Sequence, residues 1–300
     1  MKLGTFPDML FIDSFEESLA RVKEMGFEYI DLREGLDGNN VDNISLDKAR
    51  SLKSKMDEYG LKGRVIVSRS INPISFVGPP KYDKYDKAHH AKTIKFVDHL
   101  CDVADAFGAG HIRVNPMYRS VDYHKLSDAG RQEQIDHCIS VISGIAEHLK
   151  SRGKVGILEN EPPSIGNKAE ELGQLVRGVN SPNLLVNWDI VNDWRAGVHA
   201  TVDHYEAVKG ILGGAHLKGA YKQFGTENAG NPFGLYRNFA IPDQDDFDHE
   251  PLLKAIAKHD PEAIITIDTH YHQLDVEDRT VGSIEVMRRS KVYFESLMKN

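Results

Sequence analysis

The stretch VGILENEPPSIGNKAEELGQLVRGVNSPNLLVNWDI (155–190) decides the fold. It opens on an apolar run, VGILENE (155–161), passes through an amphipathic segment of helical period at 167–178 and closes on a second apolar run, LLVNWDI (184–190). Two short apolar runs separated by one helix-length segment predict two parallel strands joined by a right-handed crossover. The same alternation extends both ways. Upstream lie LGTF (3–6), YIDLRE (29–34), GRVIVSR (63–69) and HIRVNP (111–116); downstream lie GAHLKG (214–219) and AIITIDTHY (263–271). Helical segments are predicted at 14–26, 45–60, 84–108, 128–153, 202–212, 248–260 and 279–298. The first two open on the N-cap candidates Ser14 and Ser45 and stop at Gly26 and Gly60. Eight strand–helix units predict a closed (β/α)8 TIM barrel of the α/β class, in one domain over 1–300. No GxGxxG turn follows the first run, which argues against a dinucleotide-binding fold.

Composition narrows the function. The 300 residues are 40% hydrophobic and 27% charged, ordinary for a globular protein able to bury a large core. A formal net charge of −8 argues against a general nucleic-acid binder, which needs a basic surface to replace counterions. No apolar run approaches the roughly 18 residues of a membrane span. The amino-terminal MKLGTFPDML has no basic-then-apolar signal pattern, so the cytoplasm is the expected compartment. Cys101 and Cys138 fall in helical patterns among apolar neighbours and read as reduced, buried thiols.

In a barrel the C-terminal strand ends face the site. Arg33 and Glu34 stand there on strand two, and Arg113 and Asn115 on strand four. Glu159, Asn160 and Glu161 end strand five; Asp189 and Asn192 end strand six. Strand seven carries His216 and Lys218, and strand eight carries Asp268, His270 and His272. Glu159, Asp189, His216 and Asp268 hold comparable places on four consecutive strands. Three carboxylates crowded in a partly dry cavity would repel one another, and a bound cation removes that cost. Three oxygen donors with one imidazole suit a single divalent ion: Mn²⁺ foremost, with Mg²⁺, Co²⁺ or Zn²⁺ as options.

These motifs, LENEP (158–162), NWDIVN (187–192), AHLKG (215–219) and ITIDTHY (265–271), resemble in type and order those of the xylose-isomerase-like TIM barrels. That family includes sugar and sugar-phosphate isomerases and epimerases, inosose dehydratase and dehydroshikimate dehydratase, with endonuclease IV a more distant relative. The resemblance covers the whole chain in architecture and places the family's metal ligands at Glu159, Asp189, His216 and Asp268. Two positions depart from it. The last ligand is commonly Glu, and here it is Asp268; many members carry a His where Asn192 stands. The additional ligands of endonuclease IV are not found on the early strands.

The resemblance implies an isomerase or epimerase acting on a polyol or keto-sugar, in which a metal-stabilised enediolate forms by proton abstraction next to a carbonyl. Glu159 is the first candidate for proton transfer and Asp268 the second. A metal-dependent lyase or dehydratase is the alternative, and a non-catalytic metabolite-binding or partner subunit is a reading of another class. Lys218 either stabilises the developing oxyanion or forms an internal salt bridge to Glu161 or Asp189. His270 shares the strand parity of Asp268 and is read as acid/base or ligand; His272 belongs to the loop. Glu161, Arg113, Asn115 and Trp188 are expected to bind substrate, although Arg113 and Arg33 also serve to balance carboxylates, and Trp188 and Trp194 could simply pack. The connections at 70–83 and 220–247 follow strands three and seven and would lie on the site's face. The second includes Arg237, a candidate anion contact. No Gly-rich phosphate loop follows strands seven or eight, which favours an unphosphorylated substrate, and self-association is open.

Overall fold

The structure is a computed structural model that describes residues 1–68, 87–120, 123–162, 164–222, 236–274 and 276–298. Eight parallel strands close into a barrel in the order β1-β10-β7-β6-β5-β4-β3-β2. They are β1 (Lys2–Thr5), β2 (Tyr29–Leu32), β3 (Lys62–Ile66), β4 (His111–Val114), β5 (Val155–Glu159), β6 (Leu184–Asp189), β7 (Leu212–Leu217) and β10 (Ile264–Ile267). The predicted (β/α)8 barrel is therefore the observed one. An antiparallel hairpin, β8 (Gly219–Lys222) with β9 (Tyr236–Ala240), rises from the end of β7. From the sequence alone this region reads as a long connection.

The helices are α1 (Phe15–Glu24), α2 (Leu46–Glu58), α3 (Lys87–Phe107), α4 (Asp128–Ser151), α5 (Ala169–Val179), α6 (Ile190–Arg195), α7 (Val202–Tyr205), α8 (Glu250–His259) and α9 (Ser283–Met298). Ser14 Oγ accepts from Glu17 N and Ser45 Oγ from Lys48 N, both at 3.2 Å, as the caps predicted. Gly26 and Gly60 end α1 and α2 at φ +79° and +64°, where a Cβ would be strained. Two predictions fail locally. The segment 202–212 is helical only over α7, because Leu212 already belongs to β7. The run LLVNWDI stops at Asp189, which caps α6 by accepting Asn192 N on Oδ1 at 3.1 Å. The connection at 70–83 lies outside the described residues.

The apolar core fills the layer between barrel and helices, with Phe107, Ile145, Leu172 and Phe294 fully buried. The barrel's own interior is polar where such barrels ordinarily pack branched apolar residues. Arg64 on β3 donates from Nε to Asp31 Oδ1 on β2 (2.8 Å), and from Nη1 to the carbonyl of Ile264 on β10 (2.9 Å). Its Nη2 reaches Asp31 Oδ2 (2.5 Å) and Thr266 Oγ1 (2.9 Å). Strands β3 and β10 are not neighbours, so Arg64 crosses the lumen. Gly214 gives it room: a Cβ there would collide with Nη1.

No helix among the described residues is long and apolar enough to cross a membrane. Cys101 and Cys138 are free and buried. Burial pushes their thiols up to about 11 and about 12, so neither is a thiolate near neutrality. The native protein at pH 8 should accordingly resist a thiol reagent such as Ellman's, and should yield two reactive thiols per chain once unfolded; a fast-reacting native thiol would contradict this packing.

Candidate active site

Register places the site. Asp189 on β6 pairs with His216 on β7, and Glu159 on β5 pairs with Asn187 on β6. The three side chains meet at one side of the lumen, and a ligand atom from each lies within 4.8 Å of the others. All three are buried. Asn160 braces them: it receives Asp189 N on Oδ1 (2.7 Å) and donates Nδ2 to the Asp189 carbonyl (2.9 Å) and to Asp193 Oδ1 (2.9 Å). Asn192 Nδ2 returns a bond to the Asn160 carbonyl (2.8 Å). The ends of β5 and β6 are thus locked together.

Asp268, the fourth expected ligand, is not in this group. Thr266 is level with His216, so Asp268 sits one inward-facing step further along, where its N–H bonds the Leu217 carbonyl at 2.9 Å. Its short arm lies 3.1 Å from His270 Nε2 and 3.8 Å from Arg33 Nη1. The converging group among the described residues thus holds three of the four expected ligand residues, and Asp268 stands one step beyond them. The three fit a divalent cation: two carboxylates and an imidazole, buried and converging, with His216 Nδ1 turned towards Glu159.

Each acidic group has a counter-charge. Glu159 receives Arg113 Nη1 on Oε2 (2.9 Å), and its Oε1 lies 2.9 Å from His216 Nδ1. Burial opposes its charge, but His216 and Arg113 outweigh burial and hold the carboxyl well below its ordinary range. Burial likewise opposes charge on Asp268, and His270 and Arg33 overcome it. Lys218 Nζ is 2.5 Å from Asp189 Oδ2, one of the two salt bridges foreseen, and 3.1 Å from His270 Nε2. Glu161 differs. Burial and the neighbouring Glu159 raise it, and its nearest cation, Arg113, stands 3.5 Å away.

Above this floor lies a cavity of about 260 Å³, lined by the expected Arg33, Arg113, Asn115, Glu159, Glu161, Lys218, Asp268 and His270. Asn115 Oδ1 and Asp268 Oδ1 are buried with no hydrogen-bond partner among the described residues, as is His270 Nδ1. His270 adopts φ +46°, unusual for a non-glycine residue, and its ring stacks on Phe239 of β9 at 4.4 Å. Burial and Lys218 lower its pKa.

Other expected positions fall elsewhere. Trp188 does not reach the cavity: it alternates with Asp189 and so points outward, fully buried, its Nε1 donating to Asp193 Oδ2 (3.1 Å) and its ring stacked on Tyr205. Trp194 is a core residue against Phe247. His272 is exposed at the rim beside Phe11. The Arg237 side chain lies outside the described residues. Sequence reading missed Tyr118, Ser164 and Arg195 as lining residues. Tyr118 and Ser164 stand in the loops after β4 and β5 and are joined by a β-bridge, so strand ends alone did not flag them. Arg195 is one helical turn beyond Asn192 and donates to its Oδ1 at 3.1 Å.

The chain belongs to the xylose isomerase-like TIM barrel family, whose sequence profile matches residues 19–290. Several solved structures share the fold. A probable 3-DHS dehydratase, AsbF, from Bacillus anthracis is 17% identical with a TM-score of 0.71, over 98% of this chain and 99% of that one. A D-psicose 3-epimerase, solved in the presence of D-fructose, is 14% identical with a TM-score of 0.74 over the whole of both chains. An IOLI protein with a bound zinc atom is 15% identical with a TM-score of 0.74, over 99% and 98%. No curated protein matches the sequence.

The charge balance makes a prediction for the metal-free protein. Arg113→Met leaves the buried Glu159 without its guanidinium, a change of about 3–5 kcal/mol when a buried pair loses one partner. Urea unfolding in the presence of a chelator should show that loss as a lower midpoint, and an unchanged midpoint would show that Arg113 does not hold these carboxylates.

Proposed function

We propose that this protein is a divalent-metal-dependent isomerase or epimerase of an unphosphorylated polyol or keto-sugar. The observation that carries this is the buried Glu159–Asp189–His216 group directly beneath a polar cavity large enough for a monosaccharide. When bound, the metal supplies Lewis acidity to the substrate's carbonyl oxygen and lowers the cost of removing the neighbouring carbon-bound proton. Arg113 fixes Glu159 through Oε2 and leaves Oε1 beside His216 Nδ1, a placement that suits holding the metal better than moving a proton. Glu161 takes the role of proton acceptor, because it lines the cavity and carries no hydrogen-bonded counter-ion of its own. Asp268 with His270 faces it from β10, which is separated from β5 by β6 and β7. Two proton-transfer groups on opposite walls suit removal of a proton on one side of a carbon and return on the other. Lys218 donates to the substrate oxygen on which charge develops. The acceptors Asn115 Oδ1 and Asp268 Oδ1 suit hydroxyl groups.

A lyase reading is favoured by one feature: His270, whose pKa burial lowers, lies 3.1 Å from Lys218 Nζ, and such a pair can deliver a proton to a departing hydroxyl.

Metal content by plasma mass spectrometry, beside solvent-exchange NMR in D₂O with a ketose panel, tests the proposal. One Mn, Co, Zn or Mg per chain with metal-dependent deuterium uptake next to a carbonyl is expected. Glu159→Gln and His216→Ala should lose the metal while remaining folded. Glu161→Gln should retain it and lose exchange by about 10²–10⁴-fold, the span of a general acid–base contribution. Metal without exchange or turnover moves the assignment to the lyase or to a binding subunit, and no metal after reloading ends the metal reading.

A further inference from the structure

We infer that Asp31, on the barrel floor, is a positioning residue for the metal site: it faces Nε2–H of His216 and so leaves Nδ1 as the donor towards the ion. The inference rests on the reading of Glu159, Asp189 and His216 as metal ligands. The His216 ring stands between two carboxylates from opposite sides of the lumen. Nδ1 lies 2.9 Å from Glu159 Oε1, and Nε2 lies 3.9 Å from Asp31 Oδ2. Nε2 is buried and makes no hydrogen bond among the described residues. The ring cannot easily turn away, since its edge packs against Phe6 at 5.3 Å.

Asp31 is itself fixed from three directions. Arg64 binds both of its oxygens, and Thr266 Oγ1, level with His216 on the adjacent strand, donates to Oδ2 at 2.8 Å. Asp31 and Arg64 are 1% and 5% exposed. A pair buried to that degree is weak support for stability, because apolar residues of like volume serve as well or better. Orientation is what the pair supplies and apolar packing would not: the carboxylate oxygen that Arg64 and Thr266 hold is the one that faces the imidazole. At 3.9 Å the contact is charge to N–H rather than a hydrogen bond, and the burial of both groups reduces its screening. With the opposite tautomer, the Nε2 lone pair would point at a carboxylate, and Nδ1, carrying the proton, could not ligate. An outer carboxylate that fixes the tautomer of a ligating histidine also raises its basicity, and losing it costs about 10–100-fold in metal affinity.

The test uses Zn²⁺ as a diamagnetic probe on the full chain. Imidazole ¹⁵N spectra of the Zn²⁺-loaded wild type, with His216 assigned by loss of its signals in His216→Gln, should show a protonated Nε2 and a metal-bound Nδ1. Chelator competition should give Asp31→Asn a Zn²⁺ affinity about 10–100-fold below wild type. A floor residue that only fills space would lower the unfolding midpoint and leave both the tautomer and the affinity unmoved. Zn²⁺ bound through Nε2, or Asp31→Asn binding within twofold of wild type, overturns the inference while leaving the metal site intact. A wild type that binds no Zn²⁺ instead removes the metal reading on which the inference stands. Should Asp31→Asn not fold, the wild-type spectrum alone decides between Nδ1 and Nε2.

Discussion

Charge held in a dry place is the constraint from which the rest of this molecule follows. Glu159, Asp189 and Asp268 stand at the ends of β5, β6 and β10 inside a closed barrel, and burial opposes the charge on Glu159 and Asp268. The chain answers with cations on strands that can reach: Arg113 from β4, Lys218 from β7, Arg33 from β2. Each cation also lines the cavity, so the groups that pair with the carboxylates are the same ones available to a substrate oxygen. This is why the site reads as both a salt-bridge network and a binding site, and why neither description alone is adequate. The reading that Arg113 and Arg33 balance carboxylates and the reading that they contact substrate are compatible.

Much of this was legible in the sequence. Strand–helix alternation is a local signal, repeated eight times, and it specified the barrel. Ser14, Ser45, Gly26 and Gly60 marked helix ends because capping is decided within one turn. Glu159, Asp189 and His216 stood out because strand ends in such a barrel converge whatever the intervening helices do. Trp188 was misplaced for a reason that was also available: it alternates with Asp189, so if one faces the lumen the other cannot.

What escaped depended on distances the sequence does not encode. That Asp268 stands one step beyond the level of His216 was not legible, because inter-strand register is set by the whole barrel. The Arg64–Asp31–Thr266 floor joins residues more than two hundred positions apart, and nothing local marks Arg64 as crossing a lumen that Gly214 leaves open. Helix α6 was hidden inside an apolar run that seemed to continue as strand. The hairpin of β8 and β9 was hidden by Gly and Pro residues that read as irregular chain.

The stacking of Phe239 on His270 bears on how this barrel could diversify. The loop beyond β7 is long and, in such folds, free to change. Its returning strand, however, supplies the surface against which a left-handed His270 rests, beside Lys218 and Asp268. A lineage that remodels the hairpin therefore also disturbs the wall of the cavity on which His270 rests. The shape of the cavity and the posture of its histidine are inherited together here, as one mechanical unit.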